Sequence, residues 1–170
     1  VNLDDARFVK PAGVGGLLLG LLEQHILLGV TAVTDTEIQM IGAISKSKPS
    51  TDQDTCEPSI DFPTAADFTT APFFSVGPES TELSVAGVSV VINDLMIAGD
   101  FAADGSYIGG AILAGLLDAR DLASVLVDNA LIEEEDPNAV CDLIATFGVL
   151  CEACSDGEDY CLSIYVDQIT

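Results

Sequence analysis

Cysteine is the residue type in this sequence with the clearest capacity for chemistry. Four of the five cysteines lie in the last thirty residues, and two of them form the motif Cys151-Glu-Ala-Cys154. This spacing occurs in zinc sites, but a zinc ribbon needs two such pairs and the chain has one. Acidic neighbours such as Asp156 also disfavour the thiolate that zinc requires. The pattern favours disulfides over zinc binding or thiol redox catalysis.

The cysteines also indicate a compartment, because disulfides persist where the environment is oxidising. The low lysine content and the two Asp-Gly pairs, at 104–105 and 156–157, point the same way. We predict an extracellular, cell-surface or periplasmic protein with two disulfides and one odd thiol, and a cytoplasmic protein with reduced thiols is the alternative. Cys56 lies in a polar loop and is expected to pair with a C-terminal cysteine. The disulfide candidates are Cys56, Cys141, Cys151, Cys154 and Cys161.

Acidic turns supply the hard oxygen ligands that calcium prefers. Asp156 and Asp159 are the calcium candidates, and Asp52, Asp54 and the run 133–136 are further acidic segments. None of them matches the EF-hand loop or a nonapeptide repeat. Solvated turns are the favoured interpretation, and calcium at Asp156 and Asp159 is the alternative. No other cofactor is predicted.

Catalytic signatures are absent from the sequence. His25 is the only histidine and follows an apolar run, and neither a GxSxG nor an HExxH motif occurs. Paired carboxylates mean little in so acidic a chain. We therefore predict no catalytic residues and a protein that is not an enzyme, with an enzyme of unfamiliar site as an alternative.

The charge balance excludes one class of partner. Twenty-eight Asp and Glu face five Lys and Arg, which gives a formal net charge of −23. Such a field repels phosphate backbones and anionic lipid surfaces, so nucleic-acid binding is not expected. It keeps an apolar chain soluble and suits cationic partners.

No transmembrane segment is expected. The longest apolar run, Val14–Leu22, contains three glycines and ends at Glu23, whereas a spanning helix needs about 20 apolar residues. The chain begins at Val1 without a start Met, signal peptide or lipobox, and we expect a mature fragment or an excised domain.

Phenylalanine is concentrated in one segment, 61–78. Its members Phe62, Phe68, Phe73 and Phe74 could cover one end of the core or line a pocket for an apolar ligand or lipid. Core packing is favoured, because most clustered apolar residues are simply packed.

A β-hairpin is the element that the sequence specifies best. Leu95–Ala102 and Ser106–Gly115 alternate around Asp104-Gly105, and an Asp-Gly pair between alternating runs favours a two-residue turn with positive φ at both positions. That turn places Phe101 opposite Ile108.

The same register places Gly99 opposite Gly110. Two facing glycines leave a dent in a sheet, and an element or ligand can pack closely there. A packed helix is favoured over a ligand.

Further elements follow from periodicity and capping signals. Ile26–Thr34 is apolar on both faces, which favours a central strand. Asn93-Asp94 predicts a turn or bulge, Asp118 an N-cap, and Asp136-Pro137 the start of a helix. The remaining predicted elements are a strand Val1–Lys10, a helix Leu17–Gln24, a strand Glu37–Lys46 and a strand Cys161–Ile169.

These elements predict a mainly β single domain over residues 1–170. We expect a β-sandwich or partly open barrel of about seven or eight strands with two or three short packed helices; a β-rich α+β domain is the alternative. Within it lie a polar loop (47–64), an acidic connector (128–136) and a cysteine-stapled segment (141–161).

Several motifs together resemble a known group of proteins. Leu95–Leu122 contains Asp-Gly-Ser, Ile-Gly-Gly and Leu-Asp-Ala-Arg-Asp-Leu, and later come Ala139-Val-Cys-Asp-Leu-Ile, Phe147-Gly, Cys151-Glu-Ala-Cys154 and Asp159-Tyr-Cys-Leu-Ser. They resemble uncharacterised secreted or lipid-anchored cysteine-containing proteins of myxobacteria and related bacteria. The resemblance implies an envelope or extracellular location and supplies no site residue.

The expected function is a non-catalytic extracellular or cell-envelope structural or interaction module. Self-assembly into an oligomer or fibre through free strand edges at the N-terminus is expected, with itself or another envelope protein as the partner. A carrier of an apolar ligand or lipid is the alternative.

Overall fold

The computed structural model describes residues 6–13, 15, 24–48, 50–85 and 88–169. It is mainly β, with 48% strand and 13% helix, and its two sheets do not close into a barrel. The prediction of a β-rich sandwich with short helices is confirmed. The strands are β1 Arg7–Lys10, β2 Ile26–Val33, β3 Glu37–Ile44, β4 Ile60–Asp61, β5 Ala66–Asp67, β6 Phe73–Val85, β7 Val88–Phe101, β8 Ile108–Asp118 and β9 Cys161–Ile169.

The larger sheet has five strands in the order β1-β9-β8-β7-β6, and every neighbouring pair is antiparallel. In the smaller sheet β3 is central: β2 pairs along one side of it, and the short strands β4 and β5 pair along the other. The predicted polar loop 47–64 is therefore not entirely loop, because its residues Ile60–Asp61 form β4.

One hydrophobic core receives side chains from both sheets. Ile38 and Met40 of β3 are buried together with Phe74, Val76 and Ile97 of the larger sheet. Burying each such side chain contributes about 1.5–3 kcal/mol relative to leaving it in water. Aliphatic residues dominate this core, as the scarcity of aromatic residues requires.

Three short helical elements follow β8. They are a 3-10 helix Ala119–Leu122, helix α1 Ala123–Asp128 and helix α2 Pro137–Ala145. Asp118 caps the first by accepting the Arg120 N–H at 3.0 Å, and Asp136 caps α2 by accepting the Asn138 N–H at 2.9 Å. The predicted cap at Asp118 and the predicted helix start at Asp136-Pro137 are confirmed. Among the described residues, no helix combines the length and apolarity needed to cross a bilayer.

The turn of the predicted hairpin is wider than expected. Phe101 pairs with Ile108 as predicted, but the strands close at Ala102, whose N–H donates to the Tyr107 carbonyl at 2.9 Å. The loop therefore has four residues, 103–106, and only Gly105 in it has a positive φ, +70°. Asp104 instead accepts hydrogen bonds from the backbone and side chain of Ser106.

The predicted pairing of Gly99 with Gly110 is wrong. A bulge between Ala98 and Asp100 shifts the register by one residue, so that Asp100 pairs with Gly109 and Ala98 with Ile112. Gly110, at φ +60°, has the left-handed conformation that such a bulge requires. The turn or bulge predicted at Asn93-Asp94 is confirmed, because Asp94 has φ +52° and the register of β7 and β8 shifts there as well.

Within the described part of the chain, the neighbours of Gly99 come from a strand and not from a helix. A Cβ added there would lie 2.9 Å from Ile108 Cγ2 and 3.1 Å from Ala111 Cβ, both on the neighbouring strand β8. The space is therefore occupied by the hairpin's own side chains, and the close approach explains why glycine is needed.

Other predictions have mixed outcomes. Strand Cys161–Ile169 has the predicted bounds, and Arg7–Lys10 of the predicted N-terminal strand pairs with β9 of the same chain. Val1–Asp5 and almost all of the predicted helix Leu17–Gln24 lie outside the described residues. The predicted central position of Ile26–Thr34 is wrong, because β2 pairs with β3 alone among the described strands.

Replacing Gly99 by alanine tests the hairpin packing. We expect Gly99→Ala to lower the free energy of unfolding by about 1–3 kcal/mol, because overpacking forces Ile108 or the backbone to move. Urea denaturation measures the change.

Gly109→Ala is the matched control, since its Cβ would meet only Tyr107 at 3.5 Å, an ordinary contact. It should change the unfolding free energy by less than about 1 kcal/mol. Equal losses in the two variants would contradict the packing described at Gly99.

Candidate functional site

The cysteine-stapled segment contains two disulfides, Cys141–Cys151 and Cys154–Cys161. Two disulfides and one odd thiol are thus confirmed, but the pairing expected for Cys56 is wrong. Cys56 is a free, exposed thiol, in a turn where its N–H donates to Asp54 at 2.9 Å. This local bond orders the turn without a covalent tether.

Arg120 holds the second disulfide loop of this segment, Cys154–Cys161, to the end of strand β8. Its Nη2 donates to Asp118 Oδ2 at 2.6 Å, and its Nη1 donates to Asp156 Oδ2 at 2.7 Å. The guanidinium carbon also lies 5.8 Å from the centre of the Tyr160 ring, within the range of a cation–π contact. One side chain therefore joins the β8 terminus to the second disulfide loop.

This ion cluster changes the acidity of its members. Hydrogen bonds from the Arg120 side chain lower the pKa of Asp118, against the opposing effect of partial burial. The pKa of Asp156 is lowered by the Glu158 N–H and then by Arg120, and the pKa of Arg120 is raised by Asp118 and Asp156. All three groups are thereby held in their charged forms.

The cluster continues to helix α2. The Tyr160 hydroxyl lies 3.1 Å from Asn138 Oδ1, to which it can donate, and the Asn138 side-chain amide donates to the capping residue Asp136 at 2.9 Å. From the other side, Asp121 accepts the Val91 N–H at 2.9 Å and fixes the 3-10 helix to strand β7. The bond from Val91 to Asp121 joins residues thirty apart in the chain, so it has no local signal in the sequence.

Metal-ligating groups converge at one point, where Asp118 lies close to the sulfurs of Cys154 and Cys161. Both sulfurs are bonded to each other, so neither offers the thiolate that a metal needs. The Asp118 carboxylate is already engaged by Arg120. While the disulfide is intact, these three groups therefore hold the fold together and do not form a metal site.

The calcium candidates lie in different surroundings. The Asp156 carboxylate forms an ion pair with Arg120, so a cation there would compete with the guanidinium. Asp159 is exposed. Calcium at this turn stays a prediction.

The predicted Phe-rich segment is divided between core and surface. Phe62 and Phe74 are fully buried, whereas Phe73 is 43% exposed. Phe74 and Phe68 both pack against Phe101, with ring centres 4.9 Å and 6.2 Å apart. These contacts fit the favoured interpretation of core packing, and the apolar-ligand alternative stays a prediction.

His25 lies directly before β2, at the end of the β2–β3 pair opposite their connecting turn. Its backbone N–H donates to Ser45 Oγ at 2.8 Å, and its carbonyl accepts the Ser45 N–H at 2.9 Å. The buried Ser45 hydroxyl donates in turn to the Ser47 carbonyl at 2.9 Å. These main-chain contacts close the end of the smaller sheet.

Sequence reasoning missed the feature that we regard as the best candidate site, the outer edge of β2. We call residues Leu27–Val33 the β2 edge. Among the described residues only β3 pairs with this strand, and its sequence LLGVTAV contains neither charge nor proline. A bulge beside Thr31 interrupts its register. The run of uncharged residues was visible in the sequence, but its position at an edge was not.

The apolar face of the smaller sheet continues onto the β2 edge. Val30 pairs with Met40 and Val33 pairs with Ile38, and both partners are buried. Paired residues lie on the same face of an antiparallel sheet. Val30 is nevertheless 46% exposed and Val33 58% exposed, so core-facing positions reach solvent there.

No family model, curated protein or solved structure matches this chain. Function must follow from the geometry of the chain itself.

Asp118 provides a test of the Arg120 cluster. Asp118→Ala removes both the helix cap and the partner of Arg120, and we expect it to lower the free energy of unfolding by about 1–2 kcal/mol. Asp118→Asn keeps the cap and removes the charge, so its loss should be smaller.

The two variants also differ from the wild type in their dependence on pH. Because the folded pKa of Asp118 is lowered, its contribution is complete above the unfolded pKa of about 3.9 and is lost as the pH falls through the lower folded value. Chemical denaturation at pH 6 down to pH 2 should give a shallower acid loss in Asp118→Asn. An unchanged slope would contradict the role of this ion pair.

Proposed function

We propose that this protein is a non-catalytic structural module of the cell exterior or envelope, and that it assembles with a second copy of itself through the β2 edge. The observation that carries the proposal is an uncharged edge strand whose core-facing residues reach solvent. In strand addition, backbone hydrogen bonds join the two edges and side chains on either face set the register.

The other edges of the described sheets carry the features that block strand pairing. β1 has four residues and includes Arg7 and Lys10. β6 contains Pro78 and two acidic residues and is broken by register shifts. β4 and β5 have two residues each. The contrast supports β2 as the edge at which a copy is added.

A two-fold axis fits this edge. Antiparallel addition of β2 to β2 of a second copy places the same residues on both sides and extends the smaller sheet across the interface. Val30 and Val33 of each copy then gain apolar neighbours along a shared face. Their burial gives the contact a hydrophobic contribution in addition to backbone hydrogen bonds.

The proposed location rests on chemistry that fits an oxidising compartment. Two disulfides are compatible with an extracellular or periplasmic protein. The likeness of its motifs to secreted and lipid-anchored bacterial proteins supports the same location. Calcium at Asp156 and Asp159 stays part of the proposal, because cations would weaken the repulsion between acidic copies.

A lysine on the β2 edge tests the assembly. We expect Val30→Lys to abolish concentration-dependent dimerisation, because the lysine would replace an apolar side chain on the face that the two copies share and would leave a charged group there. Sedimentation velocity over a range of protein concentrations measures the association.

Met96→Lys is the matched control, since Met96 is 41% exposed on the central strand β7 and gives the same change in charge. Both variants add one positive charge to each copy, so the weaker repulsion between copies would by itself favour association equally in the two variants. A wild-type protein that stays monomeric at high concentration, or equal association of the two variants, would overturn the proposal.

Salt provides a second test. With a net charge of −23 on each copy, repulsion opposes an uncharged contact, and screening shortens its range to about 8 Å at physiological ionic strength. We therefore expect dimerisation to strengthen as sodium chloride is raised. Dimers that dissociate with salt would indicate an interface held by ion pairs and would contradict assembly through the β2 edge.

A further inference from the structure

A second surface, remote in sequence from the β2 edge, forms a groove of about 490 Å³ beside helix α2. One wall is the acidic connector and the other is α2. The groove is shallow and widely open to solvent, so it suits a segment that lies along the surface better than a small molecule enclosed in a pocket. We call it the α2 groove.

The lining of the α2 groove is apolar where it approaches the core. Ile132 and Leu143 are half-buried and pack against the hydrophobic core, and Leu131 is 40% exposed beside them. On the helical wall, Ala139, Leu143 and Thr146 share one face because they are spaced by four and three residues. Val140 and Ile144 are buried in the core, whereas Ala139 and Leu143 are only partly covered and lie along the groove.

Carboxylates surround this apolar lining. Glu133, Glu134 and Asp142 are exposed residues of the groove, and Asp136 lies at the N-terminus of its helical wall. No Lys, Arg or His occurs among the described lining residues. A ligand that fits must therefore offer both apolar surface and positive charge.

The helical wall is fixed before any ligand arrives. The Cys141–Cys151 disulfide secures α2 from its C-terminal side, and Asn138 at its N-terminus contacts Tyr160 of the Arg120 cluster. A rigid groove loses little conformational entropy on binding. This wall has nine residues, or about 13 Å of helix, which suits an elongated ligand better than a single ion.

We propose that the α2 groove binds a basic amphipathic helical segment of a partner protein, with aliphatic side chains on one face and Lys or Arg residues on the other. The aliphatic side chains contact Leu131, Ile132 and Leu143, and the cationic groups lie against the surrounding carboxylates. Charge complementarity makes the contact specific and speeds the encounter, and the apolar lining supplies hydrophobic contact.

The test measures binding of a fluorescein-labelled peptide with two repeats of Leu-Lys-Lys-Leu-Leu-Lys-Leu, by fluorescence anisotropy at physiological ionic strength. The protein is kept at a concentration at which sedimentation shows a monomer, so that failure of dimerisation does not affect the result. We expect saturable binding, and no binding of the same peptide with Glu in place of Lys.

Two double variants separate the groove from the general negative field. Glu133→Lys/Asp142→Lys should weaken peptide binding at least about tenfold. Asp35→Lys/Asp100→Lys changes the net charge identically at exposed residues outside the lining, and should weaken it by less than about threefold. Equal loss in both would overturn the proposal in favour of non-specific attraction.

The apolar lining is tested by Leu131→Ser, with spermine as a small polycation without aliphatic side groups. We expect Leu131→Ser to weaken peptide binding about fivefold and to leave spermine binding unchanged. If Leu131→Ser has no effect on the peptide and spermine displaces it fully, the groove is a small-cation site and the proposal is wrong.

Discussion

The contact between Asp118 and Arg120 is the interaction on which the organisation of the C-terminal half depends. Asp118 is one of only two buried polar or charged side chains among the described residues, and its burial is tolerated because the guanidinium and a backbone N–H satisfy its oxygens. The same arginine reaches Asp156. The end of β8, the 3-10 helix and the second disulfide loop are therefore joined through the Arg120 guanidinium. A neutral side chain of similar size could not form these two ion pairs.

Local chemistry explains what the sequence predicted well. The cap at Asp118, the helix start at Asp136-Pro137 and the strand Cys161–Ile169 have signals in residues close together in the chain, and each was predicted at its correct position. The register of the hairpin could be predicted only next to its turn. Farther from the turn than Asp100, the register depends on the position of a bulge, and the sequence would have allowed a bulge at many positions.

Long-range relationships were beyond prediction for a physical reason. A strand that is apolar on both faces can be central, or it can lie at an edge with one side open, and the residues of β2 do not distinguish these positions. Cys56 has a polar setting typical of a tethered residue, yet its turn is ordered by Asp54 alone. The ion cluster required Asp156, thirty-six residues from Arg120, to lie beside it.

The two disulfides close short, successive loops, with partners ten and seven residues apart. Neither loop encloses a strand of the smaller sheet, so the chain entropy they remove from the unfolded state belongs to the last part of the protein. Reduction would therefore loosen the second half of α2 and the turn at Asp156 before it affected the sandwich. The oxidation state of the surroundings thus controls the rigidity of one wall of the α2 groove, while the β2 edge is independent of it.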